Sequence, residues 1–129
     1  MLIKFTSLLV DDQEKALQFY TGVLGFKKMA DIPMGEHRWL TVVSPEGPEG
    51  IELSLEPMDF PPARVYQKAL FDAGIPLTAF STGDIGAECK RLQEKGVVLR
   101  GDPQNYGPIL SVLFEDTCGN LINLVQPTG

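Results

Sequence analysis

The sequence predicts an α+β fold built from two βαβββ modules that share a concave cavity. The first observation is a repeat, because residues 5–28 and residues 77–100 both run in the order strand, aspartate cap, helix, strand. The two segments align without a gap, and Leu77 lies 72 residues after its counterpart Phe5. The second is that residues 51–53 (IEL) correspond to residues 122–124 (INL), at an offset of 71. One module alone has a single curved sheet and one helix to cover it, so two such sheets are expected to face each other.

The first module is predicted to run strand, helix, strand, strand, strand. Asp11 and Asp12 follow the first strand and can cap a helix, and Glu14 can complete a capping box with Asp11. Apolar residues then recur at helical spacing until Gly25 ends the pattern. Short segments rich in branched and aromatic residues predict the strands at 3–10, 26–30, 38–44 and 50–56.

The second module repeats this order. Asp84 is expected to cap its helix, Ile85, Cys89 and Leu92 form the apolar stripe, and a further strand ends the repeated segment at Arg100. Between the repeats, two prolines introduce apolar residues at helical spacing, which indicates a linker helix that packs on its neighbours. We therefore expect one domain over 1–129, with modules at about 1–58 and 75–129 and a helical linker at about 59–74.

Composition and charge exclude several classes of protein. The chain of 129 residues can bury a core without disulfides or a structural metal. Its net charge of −6 repels phosphate backbones, so no nucleic-acid partner is expected. No apolar run approaches the roughly 18 residues of a membrane span, so no membrane partner is expected either. With only two cysteines we expect a cytoplasmic protein, in which Cys89 is core and Cys118 is an accessible turn thiol.

Two motifs and a short preceding segment carry a resemblance to a known family. They are FYTGVLGF at residues 19–26, after VDD at 10–12, and FEDTCGNLINLV at residues 114–125. With the repeated order of elements, the chain resembles the vicinal oxygen chelate superfamily, which includes glyoxalase I, the bleomycin- and fosfomycin-resistance proteins and the extradiol dioxygenases. The resemblance covers nearly the whole chain, implies the fold of that superfamily, and implies a homodimer. These motifs are specific for the fold and poorly specific for the reaction.

The resemblance also locates four positions where the metal-dependent members hold their ion. Those positions fall at Phe5, Glu52, Leu77 and Asn123 of this sequence. Phe5 and Leu77 stand where the family usually has histidine, and Asn123 stands where it usually has glutamate. A catalytic transition metal needs about three protein ligands, and only Glu52 is a good one. We therefore expect neither a metal nor another cofactor.

Strand alternation predicts which side chains face the cavity. Glu52 and Ser54 are expected to point inward, while Ile51, Leu53 and Leu55 point toward the helix. Glu52 and Asn123 would be polar anchors among apolar walls, and Glu52 is the candidate general base. Alternatively, Glu52 pairs with Arg38 or another cation. The candidate ligand-binding residues are Phe5, Ser7, His37, Trp39, Glu52, Ser54, Leu77, Tyr106 and Asn123.

Three of these candidates have two readings each. His37 is either a solvated turn histidine or an acid, base or ligand contact at the cavity mouth. Trp39 either packs in the core or offers a flat apolar wall to a ligand. Tyr106 either closes one end of the cavity or is an ordinary loop residue.

The function hypotheses fall into different classes. The first is a glyoxalase/bleomycin-resistance-like protein that binds a small, partly apolar organic molecule without the usual metal site. The alternative is a lyase, isomerase or dioxygenase of the same superfamily, either metal-free with Glu52 as base or using a metal site not visible in the sequence. A third is a structural partner module. The sequence does not name the ligand, and whether the chain is an enzyme stays open.

Overall fold

The computed structural model describes residues 1–128 and consists of two compact units, Met1–Val65 and the residues from Tyr66 onward. The first unit contains β1, the helix α1, which continues as a π-helical stretch, and three further strands. Their bounds are β1 Phe5–Leu9, α1 Gln13–Leu17, π-helix Gln18–Val23, β2 Lys27–Met34, β3 His37–Val43 and β4 Glu52–Glu56. The boundary between the units falls within the predicted linker helix, α2, at Pro61–Asp72.

The second unit repeats the order of the first. Its elements are β5 Thr78–Ser81, α3 Ile85–Glu94, β6 Gln104–Asn105, β7 Ile109–Glu115 and β8 Leu121–Pro127. The two four-stranded mixed sheets have the orders β1-β4-β3-β2 and β5-β8-β7-β6. In each, the first strand pairs in parallel with the last strand of its module and the other pairs are antiparallel. The α+β class and the repeated strand order are confirmed.

Each module has its own apolar core, built from alternate residues of its strands. In the first module, strand and helix side chains with at most 1% exposure form this core: Leu8, Val10, Ala16, Tyr20, Leu40, Val42 and Leu55. In the second, Val112, Phe114, Ile122 and Leu124 of the sheet are buried, as are Ile85, Cys89 and Leu92 of α3. The stripe predicted for α3, including the core position of Cys89, is therefore confirmed.

The helix caps are partly as predicted. Asp12 caps α1, since its carboxylate accepts a hydrogen bond of 3.0 Å from the backbone N–H of Lys15. Asp84 caps α3 in the same way. The capping box of Asp11 with Glu14 is wrong, because the helix begins one residue later than that box requires.

Two strands differ from the prediction. The strand expected to end at Arg100 is wrong, because this segment forms only a single bridge between Leu99 and Phe114 before Gly101 leaves the extended conformation at φ +97°. Conversely, β2 extends through Pro33 as far as the turn at Gly35. Because β2 is an edge strand, a residue without an N–H is tolerated there.

The turn between β7 and β8 overturns the expectation of an accessible thiol. Cys118 is fully buried, and so is Asp116. The Asp116 carboxylate accepts hydrogen bonds from the backbone N–H groups of Cys118, at 2.7 Å, and of Asn120, at 3.0 Å, which closes the turn tightly. Gln67 of α2 then donates to the Cys118 carbonyl and to the Asn120 side chain, so this turn is covered by the helix.

No helix among residues 1–128 has the length and apolar character needed to cross a membrane.

Candidate functional site

One face of the first sheet carries several of the predicted site residues. Phe5 lies opposite Glu52 in the β1/β4 ladder, and Ser7 lies opposite Ser54. Thr41 of β3 is also opposite Ser54. Residues directly paired across strands point to the same side of a sheet, so these five side chains share a face, together with Trp39, two residues before Thr41. We call this set the open face: Phe5, Ser7, Trp39, Thr41, Glu52 and Ser54.

Glu52 is the buried acid of the open face, with 8% of its surface exposed. Its Oε1 accepts a hydrogen bond of 2.6 Å from the Thr41 hydroxyl, and its Oε2 lies 3.4 Å from Nζ of Lys4. The partner of Glu52 is therefore Lys4, which fits the reading that it pairs with a cation. It is not Arg38, which binds Asp31 and Glu14 instead.

The Arg38 cluster is separate from Glu52 and shifts the pKa of a different carboxylate. The Arg38 guanidinium makes two hydrogen bonds to Asp31, at 2.9 and 2.7 Å. These bonds lower the pKa of Asp31 to about 2 and raise the pKa of Arg38. A third bond, to Glu14, links the cluster to α1.

Two aromatic rings meet on the open face. The rings of Phe5 and Trp39 make an edge contact with centroids 5.4 Å apart and an interplanar angle of 75°. Since β4 lies between β1 and β3, this contact passes over the strand that carries Glu52. Phe5 remains half exposed and Trp39 is partly exposed, so Trp39 is not a core residue. The exposed parts of the two rings form an apolar surface that another molecule can contact.

The second sheet repeats the polar pair of the first. The Ser111 hydroxyl of β7 donates a short hydrogen bond to Oδ1 of Asn123 on β8. Ala79 lies opposite Asn123 in the β5/β8 ladder, and Leu77 lies just before β5, two residues from that position and on the same side. The partner of Asn123 across the parallel ladder is thus Ala79 and not Leu77.

The four positions of the superfamily's metal site do not fit a cation. The aromatic ring of Phe5 and the alkyl chain of Leu77 have no donor atoms. Oδ1 of Asn123 already accepts the Ser111 hydroxyl, and Oε1 of Glu52 accepts that of Thr41. Within the described part of the chain, no three side chains of His, Cys, Asp or Glu come close enough together to hold a metal ion.

His37 lies in a different place from Glu52. It is the first residue of β3, is half buried, and its Nε2 touches the carboxylate of Asp59 without the alignment of a hydrogen bond. It lines a polar cleft of about 280 Å³ at the start of α1. The lining is Val10–Glu14, Glu36–Arg38, Pro57–Asp59 and Arg64, and it does not include Glu52. Tyr106, which follows β6 in the second unit, is exposed.

Sequence reasoning missed Thr41 and Ser111, the two hydroxyl donors. They lie at an offset of 70 residues, almost that of Glu52 and Asn123, so the internal repeat contained a signal that could have identified them.

Comparison with known proteins gives consistent matches along the chain. Residues 2–124 match the family model described as the Glyoxalase/Bleomycin resistance protein/Dioxygenase superfamily. The protein YurT of Bacillus subtilis (strain 168) is 50% identical over 126 residues, which are 98% of this chain and 99% of YurT. The crystal structure of TnmS3, an antibiotic binding protein from Streptomyces sp. CB03234, is similar with 34% identity and a TM-score of 0.76, over 99% of this chain and 97% of that one. A probable lactoylglutathione lyase of Synechocystis sp. is 27% identical over 135 residues, covering 100% of this chain and 98% of that protein.

Proposed function

Because this chain belongs to the Glyoxalase/Bleomycin resistance protein/Dioxygenase superfamily, we propose that it binds a small, partly apolar organic molecule without the metal of the metal-dependent members. The observation that carries the proposal is the open face, where a partly exposed aromatic pair lies over the strand of a buried carboxylate. The likeness to TnmS3, an antibiotic binding protein, supports a ligand of comparable kind. Two of the four positions that hold the metal in the metal-dependent members are occupied here by Phe5 and Leu77, whose side chains have no donor atoms, which supports binding without an ion.

The proposed contacts have distinct roles. The rings of Phe5 and Trp39 offer a flat apolar wall, and an aromatic contact of this kind contributes about 0.5 to 1.5 kcal/mol beyond area burial. Glu52 accepts a hydrogen bond from the ligand. Ser7 and Ser54 are the remaining proposed contacts on the open face. His37, in its separate polar cleft, and Leu77, Tyr106 and Asn123, in the second module, stay candidate ligand-binding residues of their own parts of the chain.

Emission from the single tryptophan tests this proposal. Titration with naphthalene and anthraquinone derivatives is expected to quench or shift the emission of Trp39, because a bound ring would contact the indole. Phe5→Ala is expected to weaken binding about tenfold. Phe60→Ala serves as the matched control, because Phe60 is exposed but lies outside the sheet. No response across the panel, or equal effects of the two substitutions, would refute the aromatic site.

Metal analysis tests the second part of the proposal. Protein purified without added metal is expected to contain no stoichiometric Zn, Ni, Mn or Fe, and chelation is expected to leave ligand affinity unchanged. A stoichiometric metal lost together with an activity on chelation would overturn the metal-free reading.

A second candidate function is a metal-free lyase or isomerase with Glu52 as general base. It is favoured by the burial of Glu52, by the hydrogen bond that holds its Oε1, and by the similarity to a probable lactoylglutathione lyase. A base that removes a proton next to a carbonyl exchanges that proton with solvent. Deuterium uptake from D₂O into α-hydroxy thioesters or ketones, seen with the native protein and absent in Glu52→Gln, would support this function; no uptake would favour the binding protein.

We also propose a cytoplasmic homodimer. The β2 edge of the first sheet exposes Met29, Ile32 and Met34, each by more than half, and apolar side chains grouped on an edge strand favour association. Neither cysteine is in a disulfide, which is typical of a reducing compartment. Light scattering after size exclusion is expected to give twice the chain mass of 14.2 kDa. A monomer at tens of micromolar would contradict the dimer.

A further inference from the structure

The polar pair of Thr41 and Glu52 has a defined direction. Thr41 is fully buried, and its Oγ1 accepts the backbone N–H of Ala30 at 3.1 Å. A threonine hydroxyl has one proton to donate. With the Ala30 N–H on its oxygen, the hydroxyl directs that proton to Oε1 of Glu52 at 2.6 Å.

The backbone around Ala30 explains this arrangement. The β2/β3 ladder shifts its register between Lys28 and Ala30, and a bulge of this kind redirects a backbone group out of the ladder. The Ala30 N–H is therefore satisfied by a side chain of β3. Because this bond involves the backbone, the orientation of the Thr41 hydroxyl does not depend on the ligand.

The consequence is that the two carboxylate oxygens of Glu52 are not equivalent. Oε1 is engaged by Thr41, whereas the neighbour of Oε2 is Nζ of Lys4, at 3.4 Å on a side chain that is about half exposed. An ionised carboxylate only accepts hydrogen bonds. A ligand hydroxyl or amine can therefore bind at Oε2, while a ligand carbonyl or ether placed there would bring two acceptors together.

We propose that this pair makes the open face selective for aromatic ligands that carry a hydrogen-bond donor, a hydroxyl or an amine, beside the ring. The inference rests on the proposed function and adds the polarity of the ligand to it. Selectivity of this kind arises mainly by rejection, because an acceptor facing Oε2 would lose its water and lie against another acceptor. Thr41 acts as a positioning residue, since it acts through Glu52.

The second module contains the same device with a different acceptor. The Ser111 hydroxyl donates to Oδ1 of Asn123, at positions that correspond to Thr41 and Glu52 in the repeat. There the side chain is an amide, so its remaining group is the Nδ2 donor. The same geometry thus occurs twice. In the first module the second polar atom is the acceptor Oε2 of Glu52, and in the second module it is the donor Nδ2 of Asn123. This repetition indicates that the hydroxyl has the general role of orienting the neighbouring polar group.

The experiment compares three probes of nearly equal shape by calorimetry: 1-naphthol, which donates, and 1-methoxynaphthalene and 1-acetylnaphthalene, which only accept. The native protein is expected to bind 1-naphthol about tenfold more tightly than either of the other two, as expected for a hydrogen bond to a charged group. In Glu52→Gln, Thr41 still donates to the amide oxygen, so the amide N–H₂ faces the ligand. The preference is then expected to reverse toward 1-acetylnaphthalene.

Variants of Thr41 separate its positioning role from a purely structural one. Thr41→Ser keeps the hydroxyl and is expected to keep the preference for 1-naphthol. Adding Thr41→Val to Glu52→Gln releases the amide to turn either way, so the reversed preference is expected to disappear. Thr21→Val is the matched control, because it also removes a threonine hydroxyl, one that donates to the Leu17 carbonyl in the helix outside the first sheet. It is expected to leave every preference unchanged.

The outcomes distinguish this inference from the proposed function. Equal affinity of the native protein for all three probes, with quenching of Trp39, would overturn the inference and leave the binding function intact. No binding of any probe would refute both. A reversed preference that survives the addition of Thr41→Val would show that Thr41 does not orient residue 52, and would overturn its positioning role.

Discussion

Replacing Gly119 with alanine tests how the β7–β8 turn is held under α2. Gly119 has a φ of +95°, and a Cβ added there would lie 2.6 Å from Oε1 of Gln67 and 2.8 Å from its Cδ. Gln67 cannot move aside freely, because it is buried and its Nε2 donates to the Cys118 carbonyl at 3.1 Å and to the Asn120 side chain at 2.9 Å. The substitution must therefore either distort the turn or break these bonds.

The expected loss has two parts. An alanine in the left-handed region costs about 1 to 2 kcal/mol in backbone strain. Displacing Gln67 breaks two buried hydrogen bonds, each with a net value of about 1 kcal/mol, which adds about 2 kcal/mol. Gly96→Ala is the matched control, because Gly96 has a φ of +81° and nothing lies within 4 Å of an added Cβ. The free energy of unfolding of Gly96→Ala should therefore fall only by the cost of the backbone strain.

Urea and thermal unfolding of both variants measure the difference. Gly119→Ala should unfold with a free energy about 2 kcal/mol lower than Gly96→Ala, or about 8 °C lower in Tm for a chain of this length. Equal losses in the two variants would refute the reasoning, because they would show that Gln67 gives way without cost. If Gly119→Ala already displaces Gln67, adding Gln67→Ala should cause little further loss, and this non-additivity would confirm that the Gln67 side chain causes the clash.

Three further predictions concern other parts of the chain. Gln13→Leu should lower the free energy of unfolding by about 3 kcal/mol, because this buried amide makes three hydrogen bonds to the backbone of β3 and β4; a loss below about 1 kcal/mol would contradict it. Because Arg38 lowers the pKa of Asp31 to about 2, the ion pair stabilises the fold above the unfolded pKa near 4 and that contribution is lost as pH falls from about 4 to 2. Asp31→Asn should flatten the pH dependence of stability in this window, and an unchanged slope would oppose this. Burial raises the pKa of the Cys89 thiol, and Cys118 is fully buried, so a thiol reagent at pH 8 should react slowly with the native protein and with two thiols after denaturation.

The elements that sequence reasoning placed correctly depend on local signals. The strand segments, the caps at Asp12 and Asp84 and the apolar stripe of α3 follow from patterns spanning a few residues. The π-helical stretch was not predicted. There the N–H of Leu24 bonds to the carbonyl of Phe19, and the Thr21 hydroxyl bonds to the carbonyl of Leu17. Apolar spacing does not distinguish this widened turn from an α-helix.

The misplaced features depend on contacts between distant residues. Cys118 lies in a turn by sequence, and its burial requires Asp116 and α2 around it. Arg38 was a candidate partner for Glu52, but the strand places it beside Asp31. The local sequence around a turn residue or a charged residue does not indicate which distant group will contact it in the folded chain.

The amino-acid sequence alone determines the α+β class of the fold and its internal repeat, because these are properties of residue type and spacing. The resemblance to the superfamily locates the four metal positions, and the residue types found there are poor ligands. Only the tertiary structure decided that Thr41 donates to Glu52 and Ser111 to Asn123. Those contacts join residues 11 and 12 positions apart through the register of antiparallel strands, and in the first module through a bulge. Register is a collective property of the assembled sheet, so no local pattern specifies which hydroxyl will face which acceptor.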